Sequence, residues 1–263
     1  MRHRVVAVVQ ARLGSTRLPG KALLDLAGRP MLAHVLARAA AVPGVDQVVL
    51  ATTVSPEDAA LAELAGAAGI ACVRGSVDDV LDRFHAALAA HPADAVVRIT
   101  ADCPLLDPEV SGRVVSEYRR RAGGVDYVSN VHPPTYPDGL DTEVVSAAAL
   151  ERAWREASPG SDREHVTPYI WSRPERFRLV NIGGVEDLAG HRWTVDDARD
   201  LAFVREVYRR LEPPRAAAPA PFGMGAVLDL LRACPDLAQL NAGTRRNEGF
   251  RPAERAAAKA TRA

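Results

Sequence analysis

Three cations, Arg12, Arg17 and Lys21, lie close together near the start of the chain, with glycines between them. Backbone N–H groups of a glycine-rich loop can bind phosphate oxygens while Arg and Lys side chains neutralise the charge. The loop directly follows the apolar run 5–9, which predicts a buried strand. A basic loop positioned by a rigid strand is typical of an active site, and this one indicates a nucleotide enzyme. The alternative is a solvated surface loop in which Gly and Pro form turns.

The loop differs from the P-loop of ATPases, and the difference bears on metal binding. A P-loop has four residues between its first glycine and Gly-Lys, and Ser or Thr follows the lysine. Here five residues separate Gly14 from Gly20, and Ala22 follows Lys21. Because no hydroxyl lies next to the lysine to bind Mg²⁺, we expect acidic residues elsewhere in the chain to hold the metal ion.

The composition argues against several classes of protein. The chain has 263 residues, with 33 Lys and Arg against 33 Asp and Glu, so its formal net charge is zero. Nucleic-acid binders usually carry a basic excess, whereas a basic loop in a neutral chain fits a small anionic ligand. No apolar run is long enough to span a membrane, and Cys72, Cys103 and Cys234 lack the spacing of a zinc site or a disulfide framework. We expect a cytoplasmic protein that binds neither nucleic acid nor membrane.

Apolar runs alternate with helix-patterned segments through the first half of the chain. We predict strands over 5–9, 47–53, 70–73 and 95–100, and helices over 31–42, 55–68, 78–90 and 107–121. Such alternation predicts a parallel sheet with helices on both faces. Ligands bind beyond the carboxyl ends of the strands in these sheets, and both the basic loop and Asp102 lie at such ends.

The pattern changes after residue 125. Short strands are predicted over 125–128, 142–146 and 177–181, and helices over 147–157, 163–171, 197–211 and 225–234. Ser55 is expected to cap the helix that begins there, and Ser161 with Glu164 fits a capping box. A Pro- and Ala-rich linker and a basic, disordered tail are expected near the end of the chain.

Two aspartates are candidates for binding a metal ion. Asp102 follows the predicted strand 95–100, and Asp196 precedes the long helix that begins near residue 197. Mg²⁺ prefers one or two carboxylates together with phosphate oxygens and water. Each aspartate also has a structural explanation, because Asp102 could be a turn residue before a proline and Asp196 could cap the helix. The residues alone leave both explanations open.

Other charged groups lie on predicted strands and turns. Alternation places Asp141 and Glu143 on one face of a strand, where they could also simply face solvent. His165 lies at a predicted helix start beside Arg163, and a lone histidine there is more often structural than catalytic. The turn Arg74-Gly75-Ser76 looks like ordinary helix capping, yet it follows a strand and could meet the base or ribose of a nucleotide.

The chain resembles the cytidylyltransferases that make CMP-activated sugars, including the CMP-3-deoxy-manno-octulosonate and CMP-acylneuraminate synthetases. It is most similar to the spore-coat polysaccharide cytidylyltransferase subgroup, over about residues 4–210. The resemblance rests on motifs in the same order: Gln10-Ala11-Arg12 with Ser15-Thr16-Arg17-Leu18-Pro19-Gly20-Lys21, Arg74-Gly75-Ser76 with Asp79-Val80-Leu81, Asp102-Cys103-Pro104-Leu105, Tyr136-Pro137-Asp138-Gly139-Leu140-Asp141, Arg163-Glu164-His165-Val166-Thr167-Pro168 and Arg192-Trp193-Thr194-Val195-Asp196.

The resemblance implies a glycosyltransferase-A-like (Rossmann-like) α/β fold, in which a mostly parallel sheet is flanked by helices and carries a dimerisation insertion. It implies a nucleotidyltransferase domain over residues 1–211, with acceptor and dimer contacts from 130–175. A linker over 212–222 and a C-terminal helix and tail over 223–263 would follow. The family further implies a homodimer.

The resemblance also implies a reaction and the residues that perform it. CMP would pass from CTP to a small acceptor, with release of pyrophosphate and with Mg²⁺ held by Asp102 and Asp196. Arg12, Arg17 and Lys21 would be the catalytic contacts to the triphosphate. The other predicted nucleotide contacts are Gln10, Ala11, Gly14, Ser15, Arg74, Gly75, Ser76 and Asp79. The predicted acceptor contacts are Tyr136, Asp138, Asp141, Glu143, Arg163 and His165.

The acceptor stays open, and so do three alternative functions. The sugar-acid synthetases have proline where this chain has Gln10, which points away from those enzymes and leaves the acceptor open among a sugar, a sugar acid, a polyol phosphate and a phosphonate. A hydroxyl acceptor would need a general base, for which Asp141 is the candidate. The alternatives are a nucleotidyltransferase for another NTP, a nucleotide-sugar glycosyltransferase of the same fold and a non-catalytic nucleotide-binding protein. The glycosyltransferase would need an Asp-x-Asp metal motif, which Asp102-Cys103-Pro104 does not supply.

Overall fold

A mostly parallel sheet forms the centre of the computed structural model, which describes residues 3–212, 221–243 and 246. Most of the predicted linker and tail lies outside these residues. The strands are β1 (Val5–Gln10), β2 (Asp25–Leu26), β3 (Arg29–Pro30), β4 (Gln47–Thr53), β5 (Ala71–Gly75), β6 (Ala95–Thr100), β7 (Tyr127–Ser129), β8 (Glu143–Ser146) and β9 (Leu179–Asn181). Seven of them form one sheet in the order β5-β4-β1-β6-β8-β7-β9, and β2 pairs with β3.

Helices cover both faces of this sheet, as the alternation of segments predicts. They are α1 (Met31–Ala40), α2 (Ala59–Ala67), α3 (Val80–Ala90), α4 (Pro108–Arg120), α5 (Ala147–Glu156), α6 (Ser161–His165), α7 (Pro168–Trp171), α8 (Ala198–Leu211) and α9 (Met224–Ala233). Short 3₁₀ helices span Lys21–Leu23, Pro56–Asp58 and Pro235–Gln239. None of the helices in the described ranges is long and apolar enough to cross a membrane.

Strand β1 is the central element that positions the basic loop. It pairs in parallel with β4 on one side and with β6 on the other. Its apolar residues are buried and alternate between two hydrophobic clusters, with Val5, Ala7 and Val9 in one and Val6 and Val8 in the other. Burial on both faces explains the continuous apolar run. The strand ends at Gln10, directly beside the end of β6, so the basic loop begins at the carboxyl edge of the sheet.

The second half of the sheet departs from the parallel pattern. Strand β8 runs antiparallel to both β6 and β7, whereas β9 pairs in parallel with β7. The strand predicted over 142–146 begins at Glu143, so Asp141 lies before it rather than on its face.

The single helix predicted over 163–171 is wrong. Two short helices, α6 and α7, replace it, and between them Val166 adopts a positive φ of 72°. Pro168 explains the break, because proline has no backbone N–H and its ring clashes with the carbonyl four residues earlier in a continuous helix. It occupies the first turn of α7, where a proline is tolerated.

Two predicted helix caps are also wrong. Helix α6 begins at Ser161 itself and follows Gly160, whose φ of 111° L side chains rarely adopt, so no capping box forms. Ser55 precedes the 3₁₀ helix Pro56–Asp58 without a side-chain capping bond.

Helix α8 is capped by Asp197 and not by Asp196. The Asp197 carboxylate accepts hydrogen bonds from the N–H groups of Arg199 and Asp200, and Asp200 completes a capping box. The capping explanation for Asp196 is therefore wrong, and its carboxylate is available for other partners.

Candidate active site

A cavity of about 560 Å³ opens at the carboxyl ends of β1 and β6. Its walls come from the loop after β1, from the segment between β5 and α3, from the end of β6, from α6 and from the residue before the cap of α8. The structure thus brings the predicted phosphate loop and both predicted metal aspartates to one cavity. Its lining includes Gln10, Ala11, Arg12, Gly14, Ser15, Arg17, Lys21, Asp78, Arg83, Asp102, His165 and Asp196.

Lys21 joins the loop to the two aspartates. Its Nζ donates to Asp102 Oδ2 at 3.0 Å, to Asp196 Oδ1 at 3.0 Å and to the Val195 carbonyl at 2.8 Å. The side chain is 15% exposed. Burial by itself lowers the pKa of Lys21, but the two carboxylates outweigh burial and raise the pKa above its usual value. Conversely, burial favours the neutral form of Asp102, and the Lys21 charge reverses this and lowers the Asp102 pKa. The three groups form a charged unit.

The donor set at this point fits a divalent cation. Asp102 and Asp196 direct carboxylate oxygens at one position, which the Lys21 ammonium occupies. Carboxylate oxygens are the ligands that Mg²⁺ prefers, usually one or two of them with phosphate and water completing the coordination. In the described residues no cluster of three or more His, Cys, Asp or Glu could hold a metal ion. A metal at this pair would therefore take its remaining ligands from water or from a bound nucleotide.

Arg192 binds the Asp196 carboxylate through the oxygen that Lys21 does not contact. Its guanidinium donates to Asp196 Oδ2 at 2.9 Å, to both oxygens of Asp200 at 2.9 and 2.8 Å and to Asp138 Oδ2 at 3.2 Å. Arg192 is 7% exposed and Asp200 is fully buried. Burial, reinforced by the charges of Asp102 and Asp196, raises the pKa of Asp138. We call Arg192 and Asp200 the clamp.

The loop itself is fixed mainly through its backbone. Gly20 adopts a positive φ of 67°, and its N–H donates to the Leu13 carbonyl at 3.1 Å. The Leu13 N–H donates to Asp58 Oδ1 at 2.7 Å, and Asp58 also accepts the Thr53 hydroxyl. Ser15 Oγ accepts the Leu18 N–H at 3.3 Å. The loop is thus attached to the connection after β4.

The loop cations differ in how far they are already paired. Arg17 is 45% exposed and contacts Asp196 Oδ1 at 3.0 Å. Arg12 is exposed, and no hydrogen bond or ion pair joins it to any residue that the structure describes. Arg83 lies in the same cavity but is buried, and its NH1 donates to the Ser76 and Val77 carbonyls. Burial, together with the Arg12 charge, lowers the pKa of Arg83.

Several predicted nucleotide contacts have structural roles instead of lining the cavity. Arg74 donates to the Thr53 carbonyl at 2.9 Å and to the Ser55 carbonyl at 2.8 Å, which ties β5 to the end of β4. Asp79 caps α3 and accepts Arg163 Nε at 2.5 Å. Ser76 Oγ accepts the Asp79 N–H. A Cβ on Gly75 would lie 3.1 Å from Arg83 Cγ, so this glycine allows Arg83 to approach. The cavity wall here is made instead by Val77, Asp78, Val80 and Arg83.

Glu143 is a buried structural centre rather than an open acceptor contact. It accepts hydrogen bonds from Arg98, from the Tyr127 hydroxyl at 2.6 Å and from the Thr167 hydroxyl at 2.6 Å. Burial would raise its pKa, but Arg98 outweighs burial and the pKa is lowered. Arg98 Nε also donates to Gln10 Oε1 at 3.2 Å. Gln10 therefore connects the nucleotide loop to this centre.

The other predicted acceptor residues differ in whether they line the cavity. His165 lines it, and burial lowers the pKa of His165, whereas Arg163, Tyr136 and Asp141 are not among the lining residues. Arg163 ties α6 to the rest of the fold through Asp79 and the Trp154 carbonyl. Tyr136 is buried, and Asp141 pairs with Arg246. Burial raises the pKa of Asp141 to about 7, although Arg246 opposes the rise.

Sequence reasoning missed Asp58, Arg83, Asp200 and the role of Arg192. Arg83 had a usable signal, because a cation stands among the apolar residues that α3 buries. Arg192 lies four residues before Asp196 in a segment that is not helical, and no periodic pattern surrounds it. Asp58 and Asp200 act through contacts that the sequence pattern does not show.

A parallel sheet whose first strand ends in a basic loop facing two aspartates is the arrangement of a nucleotidyltransferase. A family model for cytidylyltransferases matches residues 6–213, and the chain belongs to this family. The predicted family, enzyme class and α/β fold are confirmed.

Two relatives and one solved structure show how far the similarity extends. An uncharacterized protein of Methanocaldococcus jannaschii is 34% identical over 92% of this chain and 96% of its own length. The spore coat polysaccharide biosynthesis protein SpsF of Bacillus subtilis is 30% identical over 89% of this chain and 96% of its own length. The structure of a cytidylyltransferase from Leptospira borgpetersenii superposes with a TM-score of 0.85 at 26% identity, over 92% of this chain and 99% of that chain.

Proposed function

We propose that the protein transfers CMP from CTP to a small acceptor and releases pyrophosphate. The observation that supports this most directly is the meeting of Arg12, Arg17 and Lys21 with Asp102 and Asp196 at one cavity. The cations suit a triphosphate, and the carboxylates suit the metal ion that accompanies it. SpsF is named for the synthesis of a polysaccharide, which supports an acceptor of the sugar type.

The chain's own residues act mainly by positioning and by neutralising charge. Arg12, Arg17 and Lys21 bind the triphosphate and stabilise the negative charge that develops on the leaving pyrophosphate. Gly14 and Ser15 line the same cavity, where their backbone N–H groups would be available to phosphate oxygens. Attack by an acceptor oxygen in line with the leaving group requires little else once both substrates are held in place.

Asp102 and Asp196 would hold the magnesium ion. Bound there, Mg²⁺ would neutralise phosphate charge and polarise the phosphoryl oxygens. Lys21 already occupies the position to which both carboxylates point, so Lys21 and the ion compete for the same oxygens. Lys21 becomes available to a phosphate when another cation replaces it. In this proposal Lys21 pairs with the two carboxylates when no substrate is bound, and it pairs with the triphosphate when CTP is bound.

The acceptor would bind near α6, from which Glu164 and His165 line the cavity, within the predicted acceptor segment 130–175. An anionic acceptor, such as a sugar acid, polyol phosphate or phosphonate, needs no general base. A hydroxyl acceptor does need one, and Asp141, whose pKa burial raises to about 7, is the candidate base. Dimerisation through the same segment is part of the proposal, and sedimentation of the purified chain measures it.

Pyrophosphate release tests this function. The four NTPs are each incubated with Mg²⁺ and with sugars, sugar acids, polyol phosphates and phosphonates in turn. We expect release with CTP and with one acceptor class. Equal release with another NTP would assign a different nucleotide, and release of a nucleotide from a nucleotide-sugar would indicate a glycosyltransferase. CTP binding without turnover on any acceptor would indicate a binding protein.

A further inference from the structure

The C-terminal segment, residues 221–243 and 246, lies beyond the part of the chain that the family model matches. It nevertheless folds back onto α8, which follows Asp196 directly. Val227, Leu231 and Leu237 of this segment are buried in the same hydrophobic cluster as Val204 and Tyr208 of α8. The Met224 N–H donates to Asp107 Oδ2 at 2.5 Å, and this bond fixes the start of α9. The segment is thus packed against the helix whose start lies next to Asp196.

Asn241 contacts both residues of the clamp. Its Nδ2 donates to the Arg192 carbonyl at 2.9 Å and to Asp200 Oδ1 at 3.1 Å, and the side chain is buried. Arg192 in turn donates to Asp196 Oδ2, and Asp200 Oδ2 accepts the Asp196 N–H at 2.9 Å. The Asn241 amide therefore contacts both residues that fix Asp196, the one through the Asp196 carboxylate and the other through the Asp196 N–H.

The clamp needs this amide because its carboxylate is fully buried. A buried carboxylate is stable when hydrogen-bond donors satisfy its oxygens, and losing one donor leaves part of a charge unpaired. Asp200 Oδ1 accepts from Arg192 Nε and from Asn241. Without the amide, Oδ1 would keep only the Arg192 bond among the described residues. The Arg192 carbonyl would lose a donor at the same time.

The same segment reaches the predicted acceptor residues. Arg246 donates to the Tyr136 carbonyl at 3.0 Å and pairs with the Asp141 carboxylate. Tyr136 and Asp141 are acceptor contacts only by prediction, and neither lines the cavity, whereas the Asn241 contacts lead directly to Asp196, which does. The link from this segment to the cavity therefore runs through Asn241.

We propose that the C-terminal segment is a component of the active site and that Asn241 is a positioning residue, which holds the clamp so that Asp196 keeps its orientation toward the metal and nucleotide. This inference rests on the proposed function. Asn241 acts through Arg192 and Asp200 and does not itself touch the reacting atoms. Residues that bond directly to a metal ligand, as Arg192 and Asp200 do to Asp196, typically contribute about 10–100-fold to metal affinity or activity, and Asn241 supports both of them.

The test uses the full-length chain and two substitutions, Asn241→Asp and Asn241→Ala. Asn241→Asp keeps the shape but cannot donate, and it places a carboxylate against Asp200. We measure Mn²⁺ binding in the presence of CTP by electron paramagnetic resonance, and the Mg²⁺ concentration that gives half-maximal pyrophosphate release. Both variants should bind Mn²⁺ more weakly, and the Mg²⁺ concentration for half-maximal release should rise at least about 10-fold. Asn241→Asp should be the more affected of the two.

Leu237→Ala is the matched control. Leu237 is buried in the same segment but is apolar, so its truncation weakens packing without removing a donor from the clamp. It should lower the melting temperature and leave the Mn²⁺ affinity within about twofold of wild type. Circular dichroism confirms that each variant is folded.

The outcomes separate this inference from the proposed function. Folded Asn241 variants with wild-type Mn²⁺ affinity would overturn the role of Asn241, and so would an equal loss in Leu237→Ala. If the wild-type chain binds no Mn²⁺ with CTP and releases no pyrophosphate, the proposed function itself fails. Wild-type binding with a selective loss in the Asn241 variants supports both.

Discussion

The two sides of the cavity are built in opposite ways. On the loop side, Arg12 and Arg17 are exposed, and the loop is attached mainly through backbone hydrogen bonds. On the acidic side, Arg192 and Asp200 are buried, and the guanidinium contacts three carboxylates. The loop side offers positive charge that is only partly paired, whereas the acidic side has already satisfied most of its charge within the protein.

The difference separates ligand binding from stability. Exposed cations bind an anion at little cost to the fold, because they contribute little to stability without it. A buried ion cluster must stay complete, since removing one partner leaves uncompensated charge in a poorly solvated place. Lys21 belongs to both sides: its sequence position is in the loop, but its contacts are with the carboxylates. Substitutions on the two sides should therefore have different consequences.

Replacement of the buried guanidinium should have the largest effect. Arg192→Leu leaves Asp138, Asp196 and Asp200 without their shared cation. We expect a loss of about 3–5 kcal/mol in the free energy of unfolding, measured by urea denaturation. Arg232→Ala is the control, because Arg232 pairs with Asp229 on the surface and should change stability by less than about 1 kcal/mol. A loss in Arg192→Leu no greater than in the control would contradict the idea of a preformed acidic wall.

Lys21→Ala should strongly reduce turnover while improving metal binding. Loss of one positioned charge at the leaving group should slow pyrophosphate release on the order of 10²–10³-fold, by analogy with a single oxyanion donor. Because the ammonium no longer competes for Asp102 and Asp196, Mn²⁺ should bind more tightly in the absence of nucleotide, as measured by electron paramagnetic resonance. Unchanged Mn²⁺ affinity would show that the lysine does not occupy the metal position.

Lys21 also shows how much of the site the sequence could predict. The buried strand before the loop is evident from its continuous apolar run, and alternation of strands and helices predicts that the loop and Asp102 share one edge of the sheet. The order of strands and helices therefore predicts that the loop approaches Asp102. It does not predict the direct bond between Lys21 and Asp196, because these residues lie 175 positions apart in the sequence.

Side-chain directions account for most of what sequence reasoning missed. The sequence predicts that Arg74 contacts nucleotide but does not predict its bonds to the Thr53 and Ser55 carbonyls, which join two strand ends. Asp58 and Asn241 bond to groups 45 and 49 residues away. No period of 2 or 3.6 residues reports such contacts, since each depends on where a single polar side chain ends after the chain has folded.

Arg12→Ala should affect ligand binding without affecting stability. The exposed guanidinium is unpaired within the described part of the chain, so its removal should leave the free energy of unfolding within about 0.5 kcal/mol of wild type. The affinity for CTP should fall about 10-fold, or 1.4 kcal/mol, when measured by calorimetry. A clear loss of stability with unchanged CTP affinity would reverse the contrast between the two sides of the cavity.

A pH-dependent effect is expected at Asp141, the carboxylate that pairs with Arg246 of the C-terminal segment. Burial raises its pKa to about 7 in the folded state, whereas an unfolded aspartate ionises near pH 4. Between these values the folded protein binds more protons than the unfolded chain, so the contribution of Asp141 to stability falls as pH rises through this window. Asp141→Asn does not titrate. Its melting temperature should match wild type near pH 4 and exceed it at pH 8, with the gap opening as pH rises through this window. An Asn variant that is less stable at pH 8 would show that the Arg246 ion pair outweighs the cost of burying the charge. Asp141 would then resemble Asp200, a buried carboxylate whose charge a guanidinium stabilises.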